Sequence, residues 1–559
     1  MRNDSALYHG YSKAMSEAGP TPRFHWREGL LLFALALAVR LALLPFATLD
    51  TGDTAARIWL GWRWADDPFL MTSGLWGPLH FYLIGTVLRF WSDPVWAPIA
   101  LHVAIGSIIP VIACRMTLDL FGNRRSAIAA GLIFAMYPAA IAVSLGARAE
   151  TPFMLFFGLG LLGLVQAWRP DGRISHALLA GLAITLASML RYEAWLLLPF
   201  LTLLLVKKPK LAAAFLITAM IHPVIWMIGS ALAYGNPLHS LLATATWTQD
   251  ILARELDTRL VPGLGRIARL AGRTAVELTI PIAVLMAVGA YRCLRQKRIE
   301  SVWLIPPLAL FLIFAVSAFR DTMTIKSGYT TTIGLLLIPF IACAFEWLNL
   351  ERWSRARCAA AATALLAAMG VFMLEPAMNR LPGGSRLSSN PVPTIPDEDN
   401  VRQLRALIDR AELKRGSDGY IADFFGLLTT PYVAWQTRLH PGNICRTPGA
   451  ANRSLSSEQL EVFLLANRSG VLVTRPDSRL TAHLELESDR AGTLAGIPLR
   501  LEPIGTMDWK SRDPARNFGT MTVSRYRVIG MDHVPAREPI PCTNSCPISL
   551  CRDPAAQQE

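Results

Sequence analysis

A chain of 559 residues that is 52% hydrophobic and only 17% charged, with a mean hydropathy of +0.36, is too apolar for a soluble protein of that length. The net charge of +13 comes without any basic stretch carrying interleaved aromatics, so nucleic acid is not expected as a partner. What remains is an all-α polytopic membrane bundle in which the positive charge reports topology.

The first 27 residues are polar and show no signal-peptide core or cleavage site, so 1–27 reads as a cytoplasmic tail before a retained first helix. Apolar blocks then recur near 28–47, 97–115, 126–145, 151–168, 176–190, 193–206, 211–233, 275–291, 302–319, 330–349 and 358–375, about eleven spans of bilayer-crossing length. The pair 176–190 and 193–206 is short, which places the intervening turn in a polar cavity, because unpaired backbone cannot face lipid.

The basic loops LFGNRR (120–125), WRPDGR (168–173), VKKPK (206–210), RCLRQKR (292–298) and ERWSRAR (351–357) fall on alternate crossings. They put that side, with the N-terminus, in the cytoplasm. GPLHFYLIGTVLRFW (77–91) is apolar, but a crossing there would invert every later loop. It is read as a juxtamembrane or re-entrant element within a long outer loop, 48–96, with a twelfth span as the alternative. A second outer loop, 234–274, contains TWTQDILARELDTRL (246–260) with helical spacing. It is either a lid or acceptor-facing loop, or a plain amphipathic surface helix in which Asp250, Glu255 and Asp257 are solvated.

Beyond the membrane domain, 28–375, a Pro/Gly/Ser-rich linker occupies 376–400. In 401–559, helix-like VRQLRALIDRAEL (401–413) alternates with strand-like GYIADFF (419–425), GVLVT (470–474) and FGTMTVSRYRVIG (518–530). That alternation predicts a small α/β domain on the outer, periplasmic side. Cys445, Cys542, Cys546 and Cys551 belong to it and permit two disulfides in three pairings. No histidine stands at zinc-ligand spacing beside them. Arginine far outnumbers lysine and Ala and Leu are abundant, the composition of a GC-rich bacterial genome.

Charged residues collect on the outer side. Asp50, Asp53 and Arg57 lie in TLDTGDTAAR (48–57), Arg148 and Glu150 in SLGARAETPF (144–153), and Arg191 and Glu193 in MLRYEAW (189–195). Arg320, Asp321 and Lys326 follow in AFRDTMTIKSGYT (318–330). Any one of these alone suits a helix-end anchor or a local ion pair. The whole set on one face describes a polar cavity at the membrane surface. Arginines there match phosphate oxygens, and a carboxylate can take the proton of an attacking hydroxyl.

In combination these features resemble the GT-C glycosyltransferases, closest to the branch of protein O-mannosyltransferases and the lipid A aminoarabinose transferase, over roughly 28–350. GDTAAR (52–57) resembles the family's acidic motif, which makes Asp53 the expected general base with Asp50 as support. Asp53 is favoured because Arg57 shares its helical face. WGPLHFY (76–82) resembles the Pro-Pro-Leu stretch, with Trp76-Gly77 where a basic residue commonly stands. Arg57, His80 and Arg148 are thus the candidates for the donor phosphate. ARAETP (147–152) resembles the second acidic site, giving Glu150 a role in metal binding or acceptor positioning, and RYEAWLLLP (191–199) resembles the basic-aromatic turn between two short helices.

The resemblance implies a multi-pass inner-membrane enzyme of the cell envelope. It would move a sugar, with inversion, from a polyprenyl-phosphate donor to a lipid, glycan or protein acceptor, with a divalent cation (Mg or Mn) as an open cofactor. A transporter or flippase of lipid-linked glycans, or a related ligase or polymerase, is the alternative. No internal repeat supports transport.

Overall fold

The computed structural model describes residues 24–44, 53–66, 68–254, 263–323, 325, 327–348, a few positions within 353–367, and then 398–413, 418–422, 444–446, 457–475, 480, 484–488, 490–510 and 519–530. Asp50, Lys326, Glu255, Asp257, Cys542, Cys546, Cys551 and most of the expected span 358–375 and of the linker lie outside the described residues.

The helices in chain order are α1 (Trp26–Leu43), α2 (Asp53–Asp66), α3 (Leu79–Phe90), α4 (Trp96–Phe121), α5 (Arg124–Ala135), α6 (Pro138–Leu145), α7 (Glu150–Trp168), α8 (Ile174–Ser188), α9 (Glu193–Leu203), α10 (Pro209–Ala219), α11 (Ile221–Tyr234), α12 (His239–Arg254), α13 (Leu264–Glu277), α14 (Ile280–Arg295), α15 (Ile305–Phe319, entered through a 3-10 turn), α16 (Ser327–Leu337) and α17 (Ile341–Trp347). The C-terminal region adds α18 (Glu398–Arg410), α19 (Ser457–Ala466) and seven strands. The chain divides into two compact units, one of Met1–Thr48, Trp76–Leu79 and Ile99–Pro393, the other of Leu49–Leu75, His80–Pro98 and Thr394–Glu559.

In the first unit four continuous helical stretches are long and apolar enough to cross a membrane: Trp96–Phe121, Glu150–Trp168, Ile299–Phe319 and Gly328–Trp347. Three bent pairs raise this to seven: α5 with α6 (48°), α10 with α11 (41°) and α13 with α14 (104°). The remaining expected spans are the shorter α8 and α9, the helix α1 with Arg27, Glu28 and Arg40, and the segment outside the described residues. Two of the bends have a local cause. Pro138 has no N–H to continue α5, and α13 gives way to α14 at Thr279, a β-branched residue with φ of 64° followed by Pro281. The span expected at 275–291 therefore starts at Ile280, and 275–277 end a separate amphipathic helix that buries Arg266, Leu270 and Thr274.

The bundle packs through small residues, as helices in lipid do: Gly160 and Gly163 of α7 lie against Ile184 and Ala180 of α8. One end of it gathers the basic loops. Arg169 reaches Asp119 at 3.6 Å, Lys208 Nζ donates to the Ala167 carbonyl at 3.1 Å, and Arg298 meets Glu346 at 2.5 Å. The turns 146–149, 189–192 and 320–327 lie at the other end.

In the second unit α3 has only 12 residues, about 18 Å of helix, and cannot cross the hydrocarbon core alone. It forms a hairpin with α2 in which Trp64 packs on Tyr82 with ring centroids 5.3 Å apart, and Arg89 Nε donates to the Ala65 carbonyl at 2.9 Å.

The C-terminal strands are β1 (Gly419–Ala422), β2 (Ile444–Arg446), β3 (Ser469–Thr474), β4 (Leu484–Ser488), β5 (Ala491–Leu494), β6 (Ile497–Trp509) and β7 (Gly519–Val528), in the order β2-β1-β3-β7-β6-β5-β4. β2, β1 and β3 are parallel, with Tyr420 opposite Ile444 and Val471, and the rest are antiparallel. Leu460, Phe463 and Leu464 of α19 share a core with Ile421 and Leu472. Cys445 lies on β2. β2, β4, β5 and β6 were not among the expected strands. β5 turns into β6 through Ala495-Gly496, both with positive φ, a two-residue hairpin turn that composition alone does not mark.

Candidate active site

The site begins with a difference in helix length. α8 and α9 have 15 and 11 residues, about 22 and 16 Å, whereas the bent pair α10–α11 runs from Pro209 to Tyr234. The α8–α9 turn is level with the start of α11, since Ser188 Oγ and His222 Nδ1 are 3.1 Å apart. From His222, α11 continues for about 18 Å to Tyr234. The turn thus stops well below the end of its neighbour. Its backbone groups are met within the fold: the Met189 carbonyl accepts from Leu79 N (3.2 Å), and the Ser188 carbonyl from Trp195 Nε1 (3.0 Å).

Arg191 projects from this turn into two carboxylates. Its Nη1 donates to Glu150 Oε1 at 2.6 Å, and its Nη2 and Nε donate to Glu193 Oε1 at 2.6 and 2.9 Å. Its guanidinium also lies over the rings of Tyr329 (5.1 Å) and Phe153 (6.0 Å). The side chains of Arg191, Glu150 and Glu193 are 15%, 16% and 7% exposed. Burial by itself would lower the Arg191 pKa; Glu193 and then Glu150 outweigh it and hold the guanidinium protonated. Three residues read separately from the sequence, in ARAETP and RYEAWLLLP, are therefore brought together.

The WGPL segment rests on the same turn. Besides the Leu79–Met189 hydrogen bond, Gly77 packs so closely that a Cβ would lie 2.5 Å from the Met189 carbonyl carbon. No side chain fits at 77. This is a physical reason for a glycine here.

The other expected residues are placed as follows. Arg148 follows Ala147, whose φ is 49°, and its N–H donates to the Val143 carbonyl at 3.0 Å, so the turn into α7 is tight. Its side chain is half-buried. Asp53 is the first residue of α2, and Arg57 sits one turn later and is buried, as is His80 in the first turn of α3. Asp321 forms an ion pair with Arg266 at 3.0 Å.

Sequence reasoning missed a second ionic group beside the first. Arg273 Nε meets Glu277 Oε1 at 2.6 Å, Thr330 Oγ1 donates to Glu277 Oε2, and Arg273 Nη1 donates to the Ile325 carbonyl. The i, i+4 spacing in GRTAVE and Pro281 just beyond it were the available signals. An assumed span over 275–291 absorbed Glu277. No three His, Cys, Asp or Glu side chains group closely enough to hold a metal ion among the described residues. Glu150, the expected metal ligand, has a guanidinium on its carboxylate instead. The described residues here therefore do not fit a metal centre.

The described residues thus form a bundle of bent and short helices with buried carboxylates at its turns, and a separate α/β region. Residues 76–233 match the family model of dolichyl-phosphate-mannose-protein mannosyltransferase. Among solved structures the chain is similar to ArnT from Cupriavidus metallidurans in the apo state, with 14% identity, a TM-score of 0.57, and 89% of this chain and 97% of that one covered. It is similar also to the same ArnT bound to undecaprenyl phosphate, with 13% identity, a TM-score of 0.58 and the same coverage. A search of curated protein sequences finds no significant match. The resemblance read from the sequence is borne out at the level of fold.

Proposed function

We propose that the chain is an inverting glycosyltransferase that moves a sugar from a polyprenyl-phosphate donor to a hydroxyl of a lipid, glycan or protein acceptor at the periplasmic face of the inner membrane. The observation that carries this reading is the buried Glu150–Arg191–Glu193 cluster on a sunken turn of a GT-C fold. A similar structure in that fold, ArnT, is bound to undecaprenyl phosphate, which supports a lipid phosphate as the donor's carrier.

In this reaction the acceptor oxygen attacks the anomeric carbon from the face opposite the phosphate. The carbon–oxygen bond to phosphate breaks with its electron pair, and the hydroxyl proton passes to a carboxylate. One base suffices for inversion. Asp53, the first residue of α2, takes that role, with Asp50 in support. The leaving phosphate gathers negative charge, which Arg57, His80, Arg148 and Arg191 are suited to neutralise. Arg191 would do so by exchanging a carboxylate for phosphate. Glu150 and Glu193 hold it until then and are suited to accept from sugar or acceptor hydroxyls.

The test is mass spectrometry of envelope lipids and glycans from a deletion strain complemented with wild type, Asp50→Asn or Asp53→Asn at matched expression. Loss of one sugar in the deletion and in Asp53→Asn alone is expected, and the missing mass names the sugar. A normal envelope with Asp53→Asn would remove that residue as base, and an unchanged envelope in the deletion would remove the transferase reading.

A further inference from the structure

The first turn of α16 touches three ionic groups with three consecutive residues. Gly328 lies under Glu150, close enough that a Cβ would stand 2.8 Å from the carboxyl carbon. Tyr329 lies beneath the Arg191 guanidinium at 5.1 Å, and its ring meets Phe314 edge-on at 4.9 Å. Thr330 donates to Glu277. Tyr137, fully buried at the α5–α6 break, faces Glu277 and Thr330 as well. Glu277 does not touch Glu150 or Arg191 through any contact seen here. Thr330 joins it to the turn that carries Gly328 and Tyr329.

α13 also grips the chain that leads into the turn. Arg266 Nε and Nη2 donate to the Ala318 and Met323 carbonyls at 2.9 and 2.7 Å, and Arg273 donates to the Ile325 carbonyl. Three side chains of one helix, spaced by one and two turns on its buried face, thus hold 318–330 from end to end. The helix itself ends at Glu277, and beyond it a positive φ at Thr279 and a 104° bend turn the chain into α14.

We propose that Glu277 is a positioning residue for the Arg191 site: through Thr330 it fixes the turn that supplies the floor for Arg191 and the space for Glu150. As a part of the transfer reaction this rests on the donor reading above; as a mechanical link it does not. A guanidinium held between two carboxylates and a ring can receive a phosphate at one place only if that ring stays put. Loosening the turn therefore lets Arg191 follow its carboxylates and weakens its hold on an incoming phosphate.

The experiment uses the full-length protein in lipid nanodiscs, as wild type, Glu277→Gln, Thr330→Val and Thr330→Ser. Two quantities are read on each: deuterium uptake of the backbone at 148–152 and 189–195, and affinity for added undecaprenyl phosphate. Thr330→Val, the gentler change, guards against a Glu277→Gln protein that fails to fold. Both variants are expected to raise uptake at the two segments, by about threefold or more, while the basic-loop end of the bundle exchanges as in wild type. Both are expected to weaken lipid-phosphate binding about fivefold, the effect of one typical lost hydrogen bond. Thr330→Ser, which keeps the hydroxyl, restores both readings. Unchanged uptake in Thr330→Val would overturn the proposal, and so would raised uptake with Thr330→Ser no better than Thr330→Val. If wild type itself does not bind undecaprenyl phosphate, the donor reading falls, and the exchange data still decide the link between Glu277 and Arg191.

Discussion

Two buried arginines of the helical bundle are stabilised in opposite ways. Arg191, on the α8–α9 turn, has two carboxylates on its guanidinium and two aromatic rings against its faces. Arg40, in the last turn of α1, is fully buried and among the described residues meets only dipoles: its Nε donates to Ser144 Oγ at 3.0 Å, its Nη1 to the Ala36 carbonyl at 3.1 Å, and its Nη2 has no partner among them. Removing one partner of an ion cluster strands the others, whereas removing a charge with no counter-ion strands little. The difference separates a cluster whose charges depend on each other from a single charge the helices merely tolerate.

The sharpest way to break that comparison is Arg191→Met. It leaves Glu150 and Glu193 buried together, and the expected loss is about 3–5 kcal/mol of stability along with all transfer activity. Thermal unfolding of the purified protein checks the first and envelope mass spectrometry the second. A variant as stable as wild type would mean that solvent already pays for the two carboxylates.

Next in size is Gly77→Ala. The new methyl group collides with the Met189 carbonyl, so backbone must move, at an expected cost of about 1–3 kcal/mol. Because Leu79 bonds the same carbonyl, Arg191 moves with it, and lipid-phosphate binding should weaken more than the Tm change alone suggests.

Arg40→Met runs the other way. Ser144 Oγ keeps its own bond to the Ile141 carbonyl at 2.7 Å, so no hydroxyl is stranded. Stability is expected to stay within about 1 kcal/mol of wild type or to rise. A loss as large as that of Arg191→Met, measured in the same unfolding assay, would show that Arg40 has an anionic partner and erase the contrast.

The smallest expected effect lies in the C-terminal domain. Tyr526→Phe removes one hydrogen bond, from the buried hydroxyl to the Asn467 carbonyl at 2.9 Å, and should cost about 1 kcal/mol. Binding of undecaprenyl phosphate should not change. A fall in that affinity would assign the sheet a part in donor recognition.

Much of the fold was legible because lipid imposes a simple code. Among the described residues most blocks of apolar residues, and the short pair before and after RYE, correspond to helices and turns found in place. What was not legible had local signals of the wrong kind. Glu277 was hidden in a run of apolar residues, since VELTIPIAV reads as the start of a span unless the break at Thr279 is known. β4 to β6 were hidden because their faces alternate: in β6, Ile497, Leu499 and Leu501 are buried while Pro498 and Arg500 are exposed, a pattern weaker than a continuous apolar run.

The sequence by itself determined the class of the protein and which turns carry charge, since hydropathy and charge are properties of single residues summed along a chain. Only the tertiary structure decided which charges meet. Glu150 and Arg191 are 41 positions apart, and Thr330 and Glu277 are 53 apart. Nothing in either neighbourhood marks its partner. Their pairing follows from how α7, α8, α13 and α16 pack, and a packing energy belongs to surfaces brought together, not to any one stretch of sequence.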